Sequence, residues 1–441
     1  MTRIFPTYTY GSGPREHCYW SGTVPMPEYP AATGPITCDV AVIGAGFTGL
    51  SAALHLAEAG RDIVVLDAQT PGWGASGRNG GFCCLGGSAA SDTILAKLYG
   101  ETARREFRST EHRAVDLAAD LIRRHNIDCD VHSEGETLMA HSQKAMDGFE
   151  AKAKEVERDF GVTPVITART ELAASGMQGP FFGAMTTPIG FALNPMKYTL
   201  GLANAATCAG ARIFAHSPVQ RIDQQGNFTL TTPSAQITAK RLIVATNGYS
   251  SDDLPRWLRA RYLPTQSNVI VTRPMSEEEL NAQGWTSNQM SFDDRFLLHY
   301  FRLMPNNQML FGMRGGLVSS AAADARMYRL IRRHFEAMFP AWAGVDTPYT
   351  WQGLLSISRD LTPYAGPIPE MPGAFTALSY HGNGVAMASY AGALLADQVL
   401  GQAGTRLHPK IMQSAPKRFP LGRFRRATIW PLYAGAVLMG K

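Results

Sequence analysis

"CDVAVIGAGFTGLSAALHLAEAGRDIVVLDA", residues 38–68, places a short apolar run, a cluster of glycines, a helix-length segment and a second apolar run one after another. The first run ends at Ile43, and Gly44, Gly46 and Gly49 then open a helix that Gly60 closes. In that context each glycine has a physical task. Gly44 permits a tight turn, Gly46 lets the backbone approach a pyrophosphate, and Gly49 allows close packing of helix on strand. The turn and first helical residues Ala45, Phe47 and Thr48 complete a helix N-terminus whose N–H groups and dipole favour phosphate. Asp67 ends the second strand 23 residues beyond Gly44, followed by Ala68, where a carboxylate can accept hydrogen bonds from ribose hydroxyls.

A βαβ unit of this kind does not by itself separate NAD from FAD. The continuation "QTPGWGASGRNGGFCCLGG", residues 69–87, does, because seven glycines fall within the sixteen residues 72–87 where average composition supplies about one. A flavin dinucleotide runs on past its ribose and needs backbone close to its pyrophosphate and isoalloxazine. Glycines at 72, 74, 77, 80 and 81, with Ser76, Arg78 and Asn79 as donors, suit that approach.

Composition sets the outer limits. The 441 residues are too many for one ordinary core, and two to three domains are expected. With 45% apolar and 17% charged residues the chain is globular, and a net charge of +5 spread over that length describes no nucleic-acid track. The six cysteines form no CxxC pair, which points to reduced thiols in a cytosolic enzyme and to no metal site. The opening residues lack a basic segment followed by an apolar one, and no apolar run reaches the roughly 18 residues that span a bilayer, so the expected place is the cytoplasm.

Along the chain, proline-rich residues 1–35 read as an arm laid over the body. Segments 36–100, 180–260 and 351–410 alternate strand and helix and are assigned to a discontinuous nucleotide domain. Residues 101–179 and 261–350 are assigned to a second, substrate domain; in it "SNVIVTRP", "FLLHYFRLM" and "QMLFGMRGG" are strand-like. Residues 91–125 read as a long helical stretch interrupted near Gly100. Residues 411–441 form a basic and apolar tail.

The four stretches "VIGAGFTGLSAALHLAEAG", "GASGRNGG", "ATNGY" and "HGNGVAMASYAG" together resemble the D-amino-acid oxidase and glycine oxidase superfamily, in the subgroup of γ-glutamylputrescine oxidoreductase and related amine and imino-acid oxidases, such as L-pipecolate oxidase. The likeness covers about residues 18–426. It implies an α/β fold: a Rossmann-like FAD domain built from separated segments, and an α+β substrate domain with a large, mainly antiparallel sheet. It places Gly44 to Gly49 on the pyrophosphate, Asp67 on the adenosine ribose, and Ser76, Arg78, Asn79, Gly80 and Gly81 beside the flavin and its ribityl chain. Val219 matches the position whose backbone meets the adenine, Thr246 and Gly248 sit near the dinucleotide, and Gly382, Asn383, Gly384 and Val385 open a helix aimed at the flavin N1–C2=O region. No cysteine matches a site of covalent attachment, so FAD is expected to be held noncovalently. Two departures, Asn194 before Pro195 and the loop "YHGNGV", fall where a substrate might be felt, and the substrate therefore does not carry over.

Oxidising an amine through a flavin requires positioning more than acid–base chemistry. The hairpin around "LLHYFRLMPNNQMLFGMRGG" offers Tyr300 and Arg302 on one strand and Arg314 on the other. Arg302 is expected to hold a substrate carboxylate, with Arg314 second, and His381 precedes the last glycine loop. Tyr249, Trp351 and Tyr380 are candidate cavity aromatics. The expected reaction is oxidation of an amino or imino acid C–N bond to the imine by hydride transfer to flavin N5. An L-pipecolate-like cyclic amino acid is the first substrate read, and a γ-glutamylated amine the second. A flavin-binding subunit without turnover and a NAD-only dehydrogenase are the other readings. Oxygen, or a membrane quinone or similar carrier, is the acceptor. Lys417, Arg418, Arg423, Arg425 and Arg426 precede a fourteen-residue apolar segment. The tail, residues 417–440, is read either as peripheral membrane contact or as packing on the body.

Overall fold

The computed structural model describes residues 2–431. Gly34–Ile43 is the central strand of the first sheet, and its last four residues are buried because helices and loops cover both of its faces. It pairs in parallel with Ile63–Leu66 on one side, in the register Val42 to Val65, and with Ala235–Val244 on the other, in the register Val42 to Ile243. Arg212–Phe214 extends one edge; Ala374–Leu378 and then Tyr364–Pro367 extend the other. Three separated parts of the chain thus build one nucleotide-binding sheet. The helix Phe47–Glu58 packs between Pro195–Cys208 and Gly384–Leu400.

The second sheet is antiparallel except for one parallel pairing, Met290–Asp293 with Glu136–Met139. Its order runs Tyr349–Ile357, Leu263–Val271, Met309–Arg314, His299–Leu303, Met290–Asp293, Glu136–Met139, Gly183–Thr187 and Val165–Ala168. Alternation along the strands divides its faces. Phe301 and Phe311 point into an aromatic core with Trp285, Phe335, Phe339 and Trp342, under the helix Ala321–Met338. Tyr300 and Arg302 point the other way, toward the nucleotide domain.

The expected segment boundaries need correction. The helical stretch breaks at Gly100 as read, with φ +92°, into Asp92–Tyr99 and Glu101–Arg124. However, Glu101–Arg124 buries Ala103, Phe107, Ala114, Ala118 and Leu121 against Gly384–Leu400, so it lies with the nucleotide layer although residues 101–179 were assigned to the substrate domain. Gly183–Thr187 and Tyr349–Ile357 are strands of the second sheet, although 180–260 and 351–410 were assigned to the first. An amphipathic helix or an isolated strand does not record in its own sequence which layer covers it. The N-terminal arm lies on the body as read, but in short 3₁₀ turns that bury Trp20, and its last residues Gly34 and Pro35 already belong to the central strand.

The described part of the tail is turned inward. Arg425 is fully buried, donates from Nε to Tyr262 O at 2.7 Å and pairs with both Asp252 oxygens at 2.9 and 2.6 Å. Lys417 meets Asp360 at 3.1 Å, and Arg426 lies over the Phe5 ring. Two of the five basic residues read as headgroup contacts, Arg425 and Arg426, are therefore anchored to the body, and Lys417 has an acidic partner there. Arg418 and Arg423 are exposed, Arg423 lying over the Phe424 ring, and residues 432–440 of that reading lie outside the described residues. Among the described residues no helix is long and apolar enough to cross a membrane. Asp252→Ala is expected to lower the thermal midpoint clearly, since removing one partner of a buried ion pair costs about 3–5 kcal/mol. A thermal shift assay that finds the midpoint unchanged would show that Arg425 is not what pins the tail.

Candidate active site

The two sheets face each other across one continuous cavity of about 480 Å³. One side is the groove expected from the glycine pattern: Gly44, Ala45, Gly46, Phe47 and Thr48, then Asp67 and Ala68, then Ser76, Arg78, Asn79 and Gly80. Val219, Thr246, His381, Gly382, Asn383, Gly384 and Val385 line it as well, so residues 72–80 and 381–385 share one cavity although some three hundred positions separate them. The opposite wall is the second sheet, with Tyr300 and Arg314.

Local chemistry shapes the groove. A Cβ on Gly49 would overlap the carbonyl oxygen of Gly44, so only glycine lets the helix close on the turn. Ser76 Oγ accepts from Phe47 N at 3.0 Å, which docks the 72–81 loop on the helix N-terminus. Asn79 holds that loop's shape, donating to Ser76 O at 2.9 Å and accepting from Gly81 N at 2.8 Å. Asp67 accepts from Ala45 N and Gln69 N, both at 2.8 Å, and burial pushes its carboxyl above the usual range. Arg78 stacks on Trp73 and donates to Trp73 O and Gln352 O, yet its Nη2 is buried without a hydrogen-bond partner in the cavity wall.

These features fit a bound dinucleotide. Gly46 and the start of the Phe47–Glu58 helix form a cradle that a Cβ at 46 would narrow, lying 2.8 Å from Ser76 Oγ, and that helix has no side-chain cap of its own on the Gly46 residue. The unpartnered Arg78 nitrogen is a donor that an anionic or carbonyl-bearing ligand would satisfy. Cys84 also lines the cavity, but burial raises its thiol well above the ordinary value, so it sits there as a protonated thiol, a poor nucleophile.

Not every expected residue reaches the cavity. Gly49 lies behind the turn, and Gly248 packs under Leu354 and Leu355. Gly81, at φ +74°, faces the Leu193 carbonyl and Arg302. Arg302 is the main correction: it is 1% exposed, and its guanidinium is consumed by Gly80 O at 2.9 Å, Leu193 O at 2.7 Å and His132 Nε2 at 2.7 Å. It points toward the nucleotide domain, as Tyr300 does, but its row in the sheet lies under the 80–81 and 193 backbone. Asn194 is likewise a structural residue, capping Pro195–Cys208 by accepting from Met196 N and Lys197 N. Trp351 donates to Arg78 O from behind, whereas Tyr249 and Tyr380 do line the cavity.

Arg314, unlike Arg302, lines the cavity. Its guanidinium lies against Gly382, where a Cβ would strike it, so the loop before the Gly384–Leu400 helix has to be bare for the cation to settle there. Tyr300 stacks edge-on to Phe82, and its hydroxyl pairs with Ser267 at 3.0 Å. His381 accepts from Ser358 N at Nε2 and therefore carries its proton on Nδ1, toward Gly87 O at 3.0 Å. Burial pulls it down to about 4, so it stays neutral. Phe292 and Glu136 on strands, and Leu298 and Cys84 just outside strands, also line the cavity; the pairing that brings them together joins segments far apart in the chain.

Fold and groove together define a flavoprotein oxidoreductase of two apposed sheets. Residues 39–398 match the family described as DAO, FAD dependent oxidoreductase. The chain is 34% identical over 374 residues to γ-glutamylputrescine oxidoreductase of Escherichia coli, covering 83% of this chain and 85% of that one. It is 32% identical over 381 residues to a probable oxidoreductase OrdL of Haemophilus influenzae, covering 85% of each. Among solved structures, glycine oxidase from Geobacillus kaustophilus superposes with a TM-score of 0.69 at 20% identity, over 86% of this chain and 99% of that one. L-proline dehydrogenase from P. horikoshii superposes at 0.68 and 18%, over 85% and 96%. The chain belongs to the DAO family of FAD-dependent oxidoreductases. It is a flavin enzyme acting on CH–NH donors.

Gly46→Val is expected to yield a folded but colourless protein, because the added branches occupy the cradle beside Ser76. Visible absorbance per chain after purification measures it, and full yellow occupancy would defeat the assignment of the groove. Arg302→Lys keeps the charge but loses the fork. It should lower the thermal midpoint while leaving KM for an amine substrate within about twofold. A KM rise of about tenfold or more at an unchanged midpoint would return Arg302 to the substrate site.

Proposed function

We propose that this enzyme oxidises a carboxylate-bearing amine to the imine, with Arg314 as the carboxylate anchor. The observation that carries the reading is the placement of the Arg314 guanidinium in the cavity wall against Gly382. A guanidinium binds a carboxylate through two parallel hydrogen bonds, which fixes orientation as well as affinity. FAD held in the groove would supply the two-electron acceptor for the hydride on the carbon next to the substrate nitrogen. The protein's part is geometric. Tyr300 and Phe292 wall the space, the Tyr300–Ser267 pair keeps the ring in place, and the neutral His381 holds the backbone of the last glycine loop instead of exchanging protons.

An L-pipecolate-like cyclic imino acid, the first substrate read from the sequence, takes second place. A γ-glutamylated amine comes first, supported by the 34% identity to γ-glutamylputrescine oxidoreductase over most of both chains. FAD is held noncovalently in this reading, as no thiolate faces the groove.

Anaerobic mixing with γ-glutamylputrescine, L-pipecolate, L-proline and sarcosine tests the proposal. Bleaching of the flavin is expected to be fastest with the γ-glutamylated amine, and no bleaching by any of the four would end it. Arg314→Met should raise KM for a carboxylate-bearing amine roughly tenfold to a hundredfold, the worth of a charged hydrogen-bond pair, with a smaller change in kcat.

A further inference from the structure

Arg314 has a counterpart of opposite sign in the same cavity. Glu136 opens the strand Glu136–Met139, is half-buried, and lines the cavity on the second-sheet side. Three strand-to-strand steps, through Met290–Asp293 and His299–Leu303, lead from it to Met309–Arg314. At about 4.8 Å per step the two strands lie on the order of 15 Å apart. Between them stand Phe292 and Tyr300, cross-strand partners that both line the cavity. The wall over the groove is therefore a carboxyl, an aromatic strip and a guanidinium.

Lys152 bears on the Glu136 carboxyl without pairing with it. Among the described residues that carboxyl has no ion-pair partner; the group it touches is the Cys84 thiol, a weak hydrogen-bonding group. The neighbouring carboxylate, Glu111, is engaged by Arg108 at 2.7 Å and adds negative field. A carboxyl drawn out of water beside a second carboxylate costs free energy, and a cationic ligand group is what would repay it.

We propose that Glu136 is a specificity-determining residue that receives a second, non-reacting ammonium group of the substrate. The substrate class is thereby a carboxylate-bearing compound with two basic nitrogens, not a simple monoamine. The inference rests on the reading of Arg314 as the carboxylate anchor. Glu136 does not itself act on the C–N bond being oxidised.

Three probes of matched length separate the terms: L-lysine, which has both nitrogens, and 6-aminohexanoate and L-norleucine, which each lack one. Binding to the FAD-loaded enzyme is read from the perturbation of the flavin spectrum, which requires no turnover. L-Lysine is expected to bind roughly tenfold or more tighter than L-norleucine, and Glu136→Gln should abolish that preference by weakening L-lysine and 6-aminohexanoate, which carry the distal ammonium, while leaving L-norleucine unchanged. Glu136→Asp, which keeps the charge, should retain most of it. A pH series adds a signature that a purely structural role would not produce. Burial and Glu111 push the Glu136 carboxyl up to about 8, against the opposing influences of Cys84 and Lys152, while Arg314 bears on Cys84. L-Lysine binding should therefore tighten as pH rises toward 8 in the wild type and stay flat in Glu136→Gln. Equal weakening of all three probes, no weakening of any, or no spectral response to any would overturn the proposal. Failure of every amine to bleach the flavin is a separate result, and would remove the parent reading instead.

Discussion

Two hydrogen bonds join the halves of the cofactor groove: Ser76 Oγ accepts the Phe47 amide at the head of the first helix, at 3.0 Å, and Gly72 N donates to Ala45 O, also at 3.0 Å. These contacts force the loop 72–81 to lie across the helix N-terminus, and their consequences spread outward. Gly46 has to be bare because the same hydroxyl stands over it, Gly77 has to be bare because the loop turns back on Gly72 and Met196, and Gly81 has to adopt a positive φ to carry the chain away under Leu193. Glycines here are the price of bringing three backbone segments within reach of one ligand.

The two arginines of the central hairpin show how little residue type decides. Arg302 and Arg314 lie on adjacent antiparallel strands of one sheet, and each ends against a glycine-rich turn. Arg302 meets carbonyls that face it and is used up as a buried brace, which ties the second sheet to the 80–81 and 193 backbone. Arg314 meets the Gly382 turn at the cavity edge, where a ligand has room beside it. The difference is set by what the nucleotide domain places opposite each strand row, not by the strands.

The same opposition of layers explains the distribution of charge around the reacting space. His381 is held neutral by burial and by two backbone partners, and Cys84 is held as a thiol, so neither is set up to exchange protons beside the last glycine loop. On the second-sheet wall the acidic and basic side chains are Glu136 and Arg314, separated by aromatic rings. In the proposed reading such a wall would orient a substrate by its ends, which suits hydride transfer better than an acid–base array would.

The chain's own residue order determined the first βαβ unit and the glycine run after it. Both are local: a turn, a helix start and a ribose-facing acid need residues within about thirty positions, so periodicity and spacing suffice to place Gly44, Gly46, Gly49 and Asp67. The likeness to a flavoenzyme family extended that reading to the distant loop at 382–385. Only the tertiary structure decided which layer Glu101–Arg124 joins, that Gly183–Thr187 crosses to the second sheet, that Arg302 is a brace while Arg314 faces the cavity, and that Glu136 stands in its wall. Each of these depends on pairing between segments far apart in the chain. A strand's alternation names the face a side chain points to, but not what the opposite layer puts there.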